Sequence, residues 1–448
     1  MTTKPTEGAD PDANPGKAAI RRISWRLMPF LLAGFLIAYI DRSNVGFAGL
    51  QMNEDIGLTA SMFGFGASMF FFTYVLLEVP SNLAMARVGA RIWITRIMIT
   101  WGLVAMATAL VQGPVSFIIV RMLLGAAEAG FFPGVILYLT YFYPAAYRAR
   151  VFALFSVAIP LASIVGSPLS GLLLGLDGTV GLAGWQWLFI VEGVPAVLLG
   201  LCAPLILPTG PATAKWLPEQ EKTWLSSTLR DEDSTVEKPA RRLPLKRILL
   251  SRRVLLLTLI YAGTAAISQG LSLWQPQIIK SFGLSNAQVG WINAVPFAVA
   301  VIGMLLWSRF SDRRNERALS TAIPIVVAIV GLAFIPAARS LLPFVLLASV
   351  VLIGTYASKG PFWGLSTETL SRRETAAGVA LINSLGSLAA FGGNWIIGVI
   401  KESTGSFVLT LLPLLGISVA SLIALAVLVL LRRTQRKERH TEPAQRSV

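Results

Sequence analysis

Six charged side chains lie inside long apolar stretches of this 448-residue sequence. They are Asp41, Arg42, Glu78, Arg121, Glu128 and Lys359. An ionised side chain at the centre of a bilayer costs about 2.5–3.5 kcal/mol on insertion scales, so such residues are seldom kept without a role. Carboxylates bind and release protons, and guanidinium groups bind carboxylate ligands through paired hydrogen bonds. The set therefore predicts proton and anion binding in apolar surroundings.

The spacing of these charges favours contacts between helices. Arg121 and Glu128 are seven residues apart, so they share a helix face but lie about two turns from each other. Asp41 and Arg42 lie at a comparable depth in another apolar stretch. Two interpretations are open: a structural salt-bridge cluster, or a titratable switch. In the switch, removal of a guanidinium from a buried carboxylate makes Asp41 or Glu128 take up a proton, with Arg121 tuning Glu128.

Two tyrosines accompany these charges at helical spacing. Tyr39 precedes Arg42 by three residues and faces a similar direction. Tyr74 and Glu78 form an i, i+4 pair, and Pro80 follows. Both tyrosines are candidates for a binding cavity, although tyrosine at a helix end is also a common interface anchor. We interpret Glu78 as a gate or a structural partner.

The second half of the chain carries polar stripes and one cation. The stripes contain Ser268, Ser272 and Gln275, and then Asn383, Ser387 and Asn394. Either stripe could bind a hydroxylated or carboxylated ligand, or could connect helices.

Lys359 stands beside Pro361 and Trp363. A positive cavity wall there would suit a dianion, and the alternatives are snorkelling or pairing with Glu368. We place Glu368 and Glu192 nearer the membrane interfaces.

The sequence offers few residues that could support catalysis or bind a cofactor. Cys202 is the only cysteine, and His440 is the only histidine and lies in a polar tail. No Gly-Lys-Ser or Gly-Lys-Thr phosphate loop occurs. We therefore expect no metal, no cofactor and no enzyme activity.

The elements that must position these residues are membrane-spanning helices. The chain is 54% hydrophobic and 14% charged, against roughly 25% charged in soluble domains. Stretches of about 20 apolar residues, enough to cross a bilayer, recur throughout. The predicted helices cover residues 27–49, 58–86, 92–112, 116–142, 151–175, 186–207, 254–279, 286–308, 318–337, 341–370, 376–400 and 406–431. This is an all-α polytopic membrane protein of twelve transmembrane helices.

The basic residues are concentrated in every second connection between the predicted helices. Most of the 38 Lys and Arg fall in connections on one side, and the other side holds Lys280, Arg339 and Lys401. The basic side includes Arg21, Arg22, Arg26, residues 87–96, 208–253 and 309–317, Arg372, Arg373 and the C-terminal tail. This positive-inside pattern predicts cytoplasmic termini and accounts for the net charge of +15 without nucleic acid. The polar first 20 residues predict no cleaved signal peptide.

A long polar interruption divides the predicted helices into two sets of six. We predict an N-terminal tail over residues 1–26, a six-helix bundle over 27–207, a cytoplasmic linker over 208–253, a second six-helix bundle over 254–431 and a C-terminal tail over 432–448. Two such halves suggest internal repeats with a site at their interface.

Short basic connections occur at equivalent places in both halves, and they resemble the major facilitator superfamily. In the first half the connection is RVGAR at residues 87–91, with Asn82 and Ala86 where that family has Gly and Asp. The second copy keeps Asp312 and Arg313, which the resemblance marks as gating residues.

A closer resemblance is to the anion:cation symporter family, which includes tartrate, phthalate and sugar-acid carriers. The segments that carry it are YIDRSNVG (39–46), YVLLEVPSN (74–82), RMLLGAAEAGFFPG (121–134), WQWLFIVEG (185–193) and GPFW (360–363). The chain departs from it at Asn394, where the family has a proline.

The resemblance implies roles for individual residues. Asp41 and Glu128 match proton carriers, Arg42 matches the residue that holds the substrate carboxylate, and Tyr39 and Tyr74 match cavity residues. We therefore expect a monomeric inner-membrane transporter that imports a small organic anion with protons by alternating access. The alternatives are a proton-coupled drug exporter of the same fold and a membrane receptor or scaffold that does not transport.

Overall fold

The computed structural model of the chain describes residues 15–235, 250–314, 316–370, 374–407 and 409–441. Within these ranges all regular secondary structure is helical, and twelve helices are long and apolar enough to cross a membrane. The predicted all-α fold with two bundles of six spans is confirmed. Arg372, Arg373, much of the 208–253 linker and the outer parts of both tails lie outside the described residues.

The spans are numbered in chain order. Spans 1 to 6 are Pro15–Ala48, Ala60–Val88, Ala90–Leu110, Pro114–Thr140, Ala145–Leu176 and Gly184–Ile206. Spans 7 to 12 are Arg252–Lys280, Asn286–Arg314, Arg317–Ala337, Leu341–Thr369, Gly378–Thr404 and Leu409–Thr434. An even number of spans returns the chain to its starting side, which we call the tail side; the opposite side is the far side.

A side-chain hydrogen bond and a glycine define the two ends of span 2. Span 2 begins after Thr59, whose side-chain oxygen accepts a hydrogen bond from the Met62 N–H at 3.3 Å. It ends at Gly89, whose φ of +97° belongs to a conformation that glycine adopts without strain.

Span 1 begins twelve residues earlier than predicted. Ala19, Ile23 and Leu27 recur every fourth residue and are buried, so part of the predicted tail is a docked helical end. The linker likewise contains a helix, Glu219–Thr235, and its Glu221 pairs with Arg22 at 3.2 Å. The polar composition of both segments concealed these helices.

The two halves meet closely on the far side. A β-carbon on Gly46 would lie 2.7 Å from the Leu273 carbonyl oxygen, and one on Gly64 would lie 2.6 Å from the Asn394 carbonyl oxygen. Spans 5 and 8 approach in the same way at Gly290. Small residues permit such backbone contacts between membrane helices. The halves are therefore packed together at their far-side ends.

Candidate functional site

Spans 1 and 4 each contribute one charged side chain to a buried ion pair. Arg42 Nη2 lies 2.5 Å from Glu128 Oε1, and Arg42 Nε donates to the same oxygen at 2.8 Å. The Glu128 side chain is fully buried, whereas 12% of the Arg42 side chain is exposed. The other oxygen, Glu128 Oε2, has no hydrogen-bond partner among the described residues. The pair can therefore be reached from the arginine side.

The helix of span 4 is interrupted directly after Glu128. Ala129 has a non-helical ψ of 128°, and Gly130 has a φ of +85°. The freed Ala129 carbonyl oxygen accepts a hydrogen bond from Ser81 Oγ at 2.6 Å. The break lies at Gly130 because glycine adopts this left-handed conformation without strain.

Aromatic rings surround the Arg42 guanidinium. Its Cζ atom lies 4.9 Å from the Tyr39 ring centroid, 4.8 Å from that of Tyr74 and 5.3 Å from that of Phe70. Cations over aromatic faces are stabilised by the ring quadrupole. The structure thus brings both predicted tyrosines to Arg42, and it adds Phe70.

Arg121 lies next to this pair but does not bind Glu128. It is 2% exposed, and its Nη2 donates to the Ala67 carbonyl oxygen at 3.3 Å. Its Nε and Nη1 atoms have no hydrogen-bond partner among the described residues. Arg42 makes the direct contact with Glu128, and the tuning of Glu128 by Arg121 remains a prediction. Arg121 instead keeps donors available in the site.

A small cavity beside both arginines is closed by polar residues of the C-terminal half. Gln269, Ser272 and Asn394 line it from spans 7 and 11. Gln275 does not line this cavity, since its Nε2 faces the Asn293 carbonyl oxygen at 3.5 Å between spans 7 and 8. Sequence reasoning missed Gln269, although an amide in an apolar helix was an available signal.

Asp41 points away from the cavity although it is adjacent to Arg42. It is buried, and it accepts hydrogen bonds from Trp101 Nε1 at 3.0 Å and from Asn44 Nδ2 at 3.2 Å. Successive helical residues are rotated by about 100°, so neighbours face different helices. Asp41 faces span 3 and Arg42 faces span 4. The role of Asp41 as a proton carrier remains a prediction.

Aromatic residues of spans 7 and 10 form a second cluster in the C-terminal half. Tyr261 donates its hydroxyl to Asn383 Oδ1 at 3.3 Å, and its ring lies 5.2 Å from the Trp363 ring. The structure thus brings two predicted substrate residues, Asn383 and Trp363, to one tyrosine.

Lys359 lies in the same half. Its Nζ is 4.4 Å from the Tyr356 ring centroid, and none of the ion pairs within 4.0 Å among the described residues includes it. Glu368, an alternative partner from sequence, pairs with Arg432 at 3.4 Å instead. Lys359 therefore has an aromatic neighbour and no ion-pair partner in the ranges that the structure describes.

The predicted gating residues lie in the tail-side half of the structure. Ser384 Oγ of span 11 donates to Glu78 Oε2 of span 2 at 3.3 Å, which connects the two halves. Asp312 pairs with Arg317 at 2.9 Å, and Arg313 is exposed.

This geometry, with a buried ion pair beside a cavity that polar residues of both six-helix bundles line, is that of a membrane transporter. A family model described as Major Facilitator Superfamily matches residues 31–394. An Agrobacterium vitis protein named "Putative tartrate transporter" is 47% identical over 409 residues, which are 91% of this chain and 94% of that one. An Acinetobacter baumannii protein named "Quinolone resistance transporter" is 42% identical over 393 residues, or 87% and 90% of the two chains.

A solved structure gives the same fold. It is a bacterial homologue of the human lysosomal transporter Spinster in an inward-facing and occupied conformation, with a TM-score of 0.72 at 18% identity, covering 95% of this chain and 98% of that one. The chain belongs to the major facilitator superfamily. It is a multi-pass membrane transporter and not an enzyme, and the resemblance seen in the sequence is confirmed at this level.

Proposed function

We propose that this transporter imports an organic anion by proton symport through alternating access. The observation that carries the proposal is the Arg42–Glu128 pair, whose arginine faces the cavity while its carboxylate is fully buried. An incoming carboxylate that takes the Arg42 Nε and Nη2 donors displaces Glu128 from them. An ionised Glu128 left without its cation in this interior would cost several kcal/mol. Protonation of Glu128 removes that cost, so anion binding and proton binding favour each other.

The membrane potential gives this coupling its direction. Bringing a monoanion into a negative interior costs about 2.3 kcal/mol per 100 mV. One proton cancels the charge, and a second, carried at Asp41, would let the potential drive uptake. With two protons the potential therefore drives import of a monoanion, whereas for a dianion two protons cancel the charge and the pH gradient drives import.

The lining of the cavity supports one class of substrate. Arg42 and the unpaired donors of Arg121 favour carboxylate, and Gln269, Ser272 and Asn394 can bind hydroxyl groups. The name of the Agrobacterium vitis relative mentions tartrate, a dicarboxylate with two hydroxyl groups. We therefore place the substrate among hydroxyacids and related organic anions, such as sugar acids and aromatic carboxylates.

The test is Glu128→Gln in proteoliposomes loaded with a pH gradient and supplied with labelled tartrate. Glutamine keeps a hydrogen-bonding oxygen for Arg42 but cannot bind and release a proton. We expect loss of proton-driven accumulation with retained exchange of internal for external tartrate. Glu368→Gln, a change in an exposed tail-side carboxylate, is the matched control. Proton-driven accumulation by Glu128→Gln at the wild-type level would remove Glu128 from the coupling.

A second candidate is proton-coupled export. The Acinetobacter baumannii relative is named for quinolone resistance, and quinolones carry an aromatic carboxylate that could bind the same arginine. Export would show as drug efflux accompanied by proton entry. If protons leaving the acidic lumen of inverted vesicles drive quinolone into that lumen and leave tartrate unmoved, export replaces import.

A further inference from the structure

An apolar groove with a volume of about 290 Å³ lies between spans 8, 9 and 10, and it shares no residue with the cavity beside the two arginines. Gly303, Trp307 and Phe310 of span 8 form one wall. Leu306 and Ile323, which also line the groove, are 61% and 45% exposed. Exposed apolar side chains on membrane-spanning helices mark surfaces that contact lipid. The groove therefore opens toward the bilayer.

Small residues and one proline shape the inside of the groove. Gly354 and Ala357 of span 10 line it, and a β-carbon on Gly354 would clash with the Pro324 carbonyl oxygen of span 9. Pro324 has no N–H, so the Ser320 carbonyl oxygen loses its usual helical donor. Trp307 Nε1 donates to that oxygen at 2.8 Å and joins span 8 to span 9. The one polar group among the lining side chains is thus already bonded.

This lining favours a hydrocarbon chain over water. Apart from the Trp307 indole, the groove is lined by aliphatic residues, glycines and one phenylalanine. A water molecule needs two to four polar partners to be held in a cavity. An acyl chain needs none, and it gains dispersion contacts along walls that approach it closely. The groove therefore fits one chain of a membrane lipid.

The same face of span 8 leads from the groove to a positive charge. At successive spacings of four, three and four residues, this face carries Gly303, Trp307, Phe310 and Arg314. The Arg314 Cζ atom lies 4.7 Å from the centroid of the Phe310 ring, which lines the groove. The guanidinium is therefore located at the tail-side mouth of the groove.

The Arg314 side chain is available to an external anion. It is exposed, and none of the ion pairs within 4.0 Å in the part of the chain that the structure describes includes it. Of the carboxylates nearby in sequence, Asp312 pairs with Arg317 at 2.9 Å, and Glu316 is exposed. Arg313 is exposed as well, so the mouth of the groove is positive.

We propose that this groove binds one acyl chain of an anionic phospholipid, whose phosphate headgroup lies at Arg314. Basic pockets between membrane helices bind anionic headgroups, and aromatic residues such as Trp307 are common near the level of the headgroups. A neutral phospholipid gains the chain contacts without the charge attraction. The site is outside the transport cavity, so it does not depend on the proposed symport.

Native mass spectrometry of the full-length protein in neutral detergent tests the headgroup preference. Phosphatidylglycerol and phosphatidylcholine with identical chains are added in equal amounts, and the wild type should retain more of the former. Arg314→Gln should lower the ratio of the two retained lipids about fivefold, the effect of one arginine at an anionic surface. Arg433→Gln, an exposed tail-side change in span 12, should leave the ratio unchanged. Equal retention of both lipids by the wild type overturns the proposal.

The chain contact is tested by filling the groove. Val327 lines the groove from span 9, so the larger side chain of Val327→Phe should remove most of the retained phosphatidylglycerol. Val326→Phe is the matched control, since Val326 is 41% exposed and does not line the groove. Retention by Val327→Phe at the wild-type level overturns the proposal. If Val327→Phe does not fold, the exposed variant Arg314→Gln still decides, because an unchanged lipid ratio there also overturns it.

Discussion

At the scale of single residues, the site depends on which cation each carboxylate meets. Glu128 receives two N–H donors from Arg42, while two nitrogen atoms of Arg121 have no hydrogen-bond partner within the described part of the chain. A ligand carboxylate entering the cavity can therefore find donors before the Arg42–Glu128 pair has opened. This order of events would lower the cost of separating a buried pair.

Arg42→Lys tests the geometry of that contact. Lysine keeps the positive charge but loses the planar fork that binds a carboxylate through two hydrogen bonds. One lost bond to a charged group is worth about 1.5–3 kcal/mol, so we expect the KM for tartrate to rise by about tenfold or more. Initial uptake rates at several concentrations measure it. Arg433→Lys, on the exposed tail-side end, is the control, and an unchanged KM for Arg42→Lys would contradict this assignment.

At the scale of elements, the break in span 4 sets the direction of Glu128. A β-carbon on Gly130 would meet Ser81 Oγ at 2.5 Å, and the φ of +85° would strain any other residue. Ser81 also accepts a hydrogen bond from Trp93 Nε1 at 3.0 Å, so three spans meet at this break. The site is therefore held by backbone geometry as much as by charge.

Gly130→Ala should lower thermal stability through both effects. The left-handed conformation costs a non-glycine residue about 1–2 kcal/mol, and the clash with Ser81 adds to this. Gly178→Ala is a matched control, since Gly178 has a φ of +77° and nothing within 4 Å of a β-carbon. Thermal unfolding in detergent should show a larger loss of Tm for Gly130→Ala. Equal losses of Tm would mean that the contact with Ser81 does not contribute to the effect of Gly130→Ala on stability.

At the scale of the whole molecule, the charge pattern and the even number of spans together predict on which side of the membrane the termini lie. An inner-membrane location, cytoplasmic termini, a monomeric state and the predicted domain boundaries at residues 27–207 and 254–431 remain predictions. The single cysteine, Cys202, makes the orientation easy to examine.

In a Cys202→Ser background, Ser403→Cys reports on the far side and Arg433→Cys on the tail side, both at exposed positions. If the positive-inside rule holds here, a membrane-impermeant maleimide added to intact cells should label the first and not the second. Permeabilised cells, in which both should react, are the control. The reverse pattern of labelling would invert the proposed topology.

Sequence alone determined the number of spans, the two sets of six and the charged residues worth examining, because apolar length and the cost of buried charge are local properties. Resemblance also assigned Tyr39 and Tyr74 to one site with Arg42, and both rings contact its guanidinium, while their role in substrate binding remains a prediction. The docked part of span 1 and the helix 219–235 escaped it because their burial depends on partners distant in the chain.

Only the tertiary structure decided which charges meet. It paired Glu128 with Arg42, turned Asp41 toward Trp101 and Asn44, and placed Glu192 beside Ser170. The physical reason is that helical periodicity fixes where residues lie around one helix, but not which neighbouring helix each face contacts. That choice comes from packing between segments far apart in sequence.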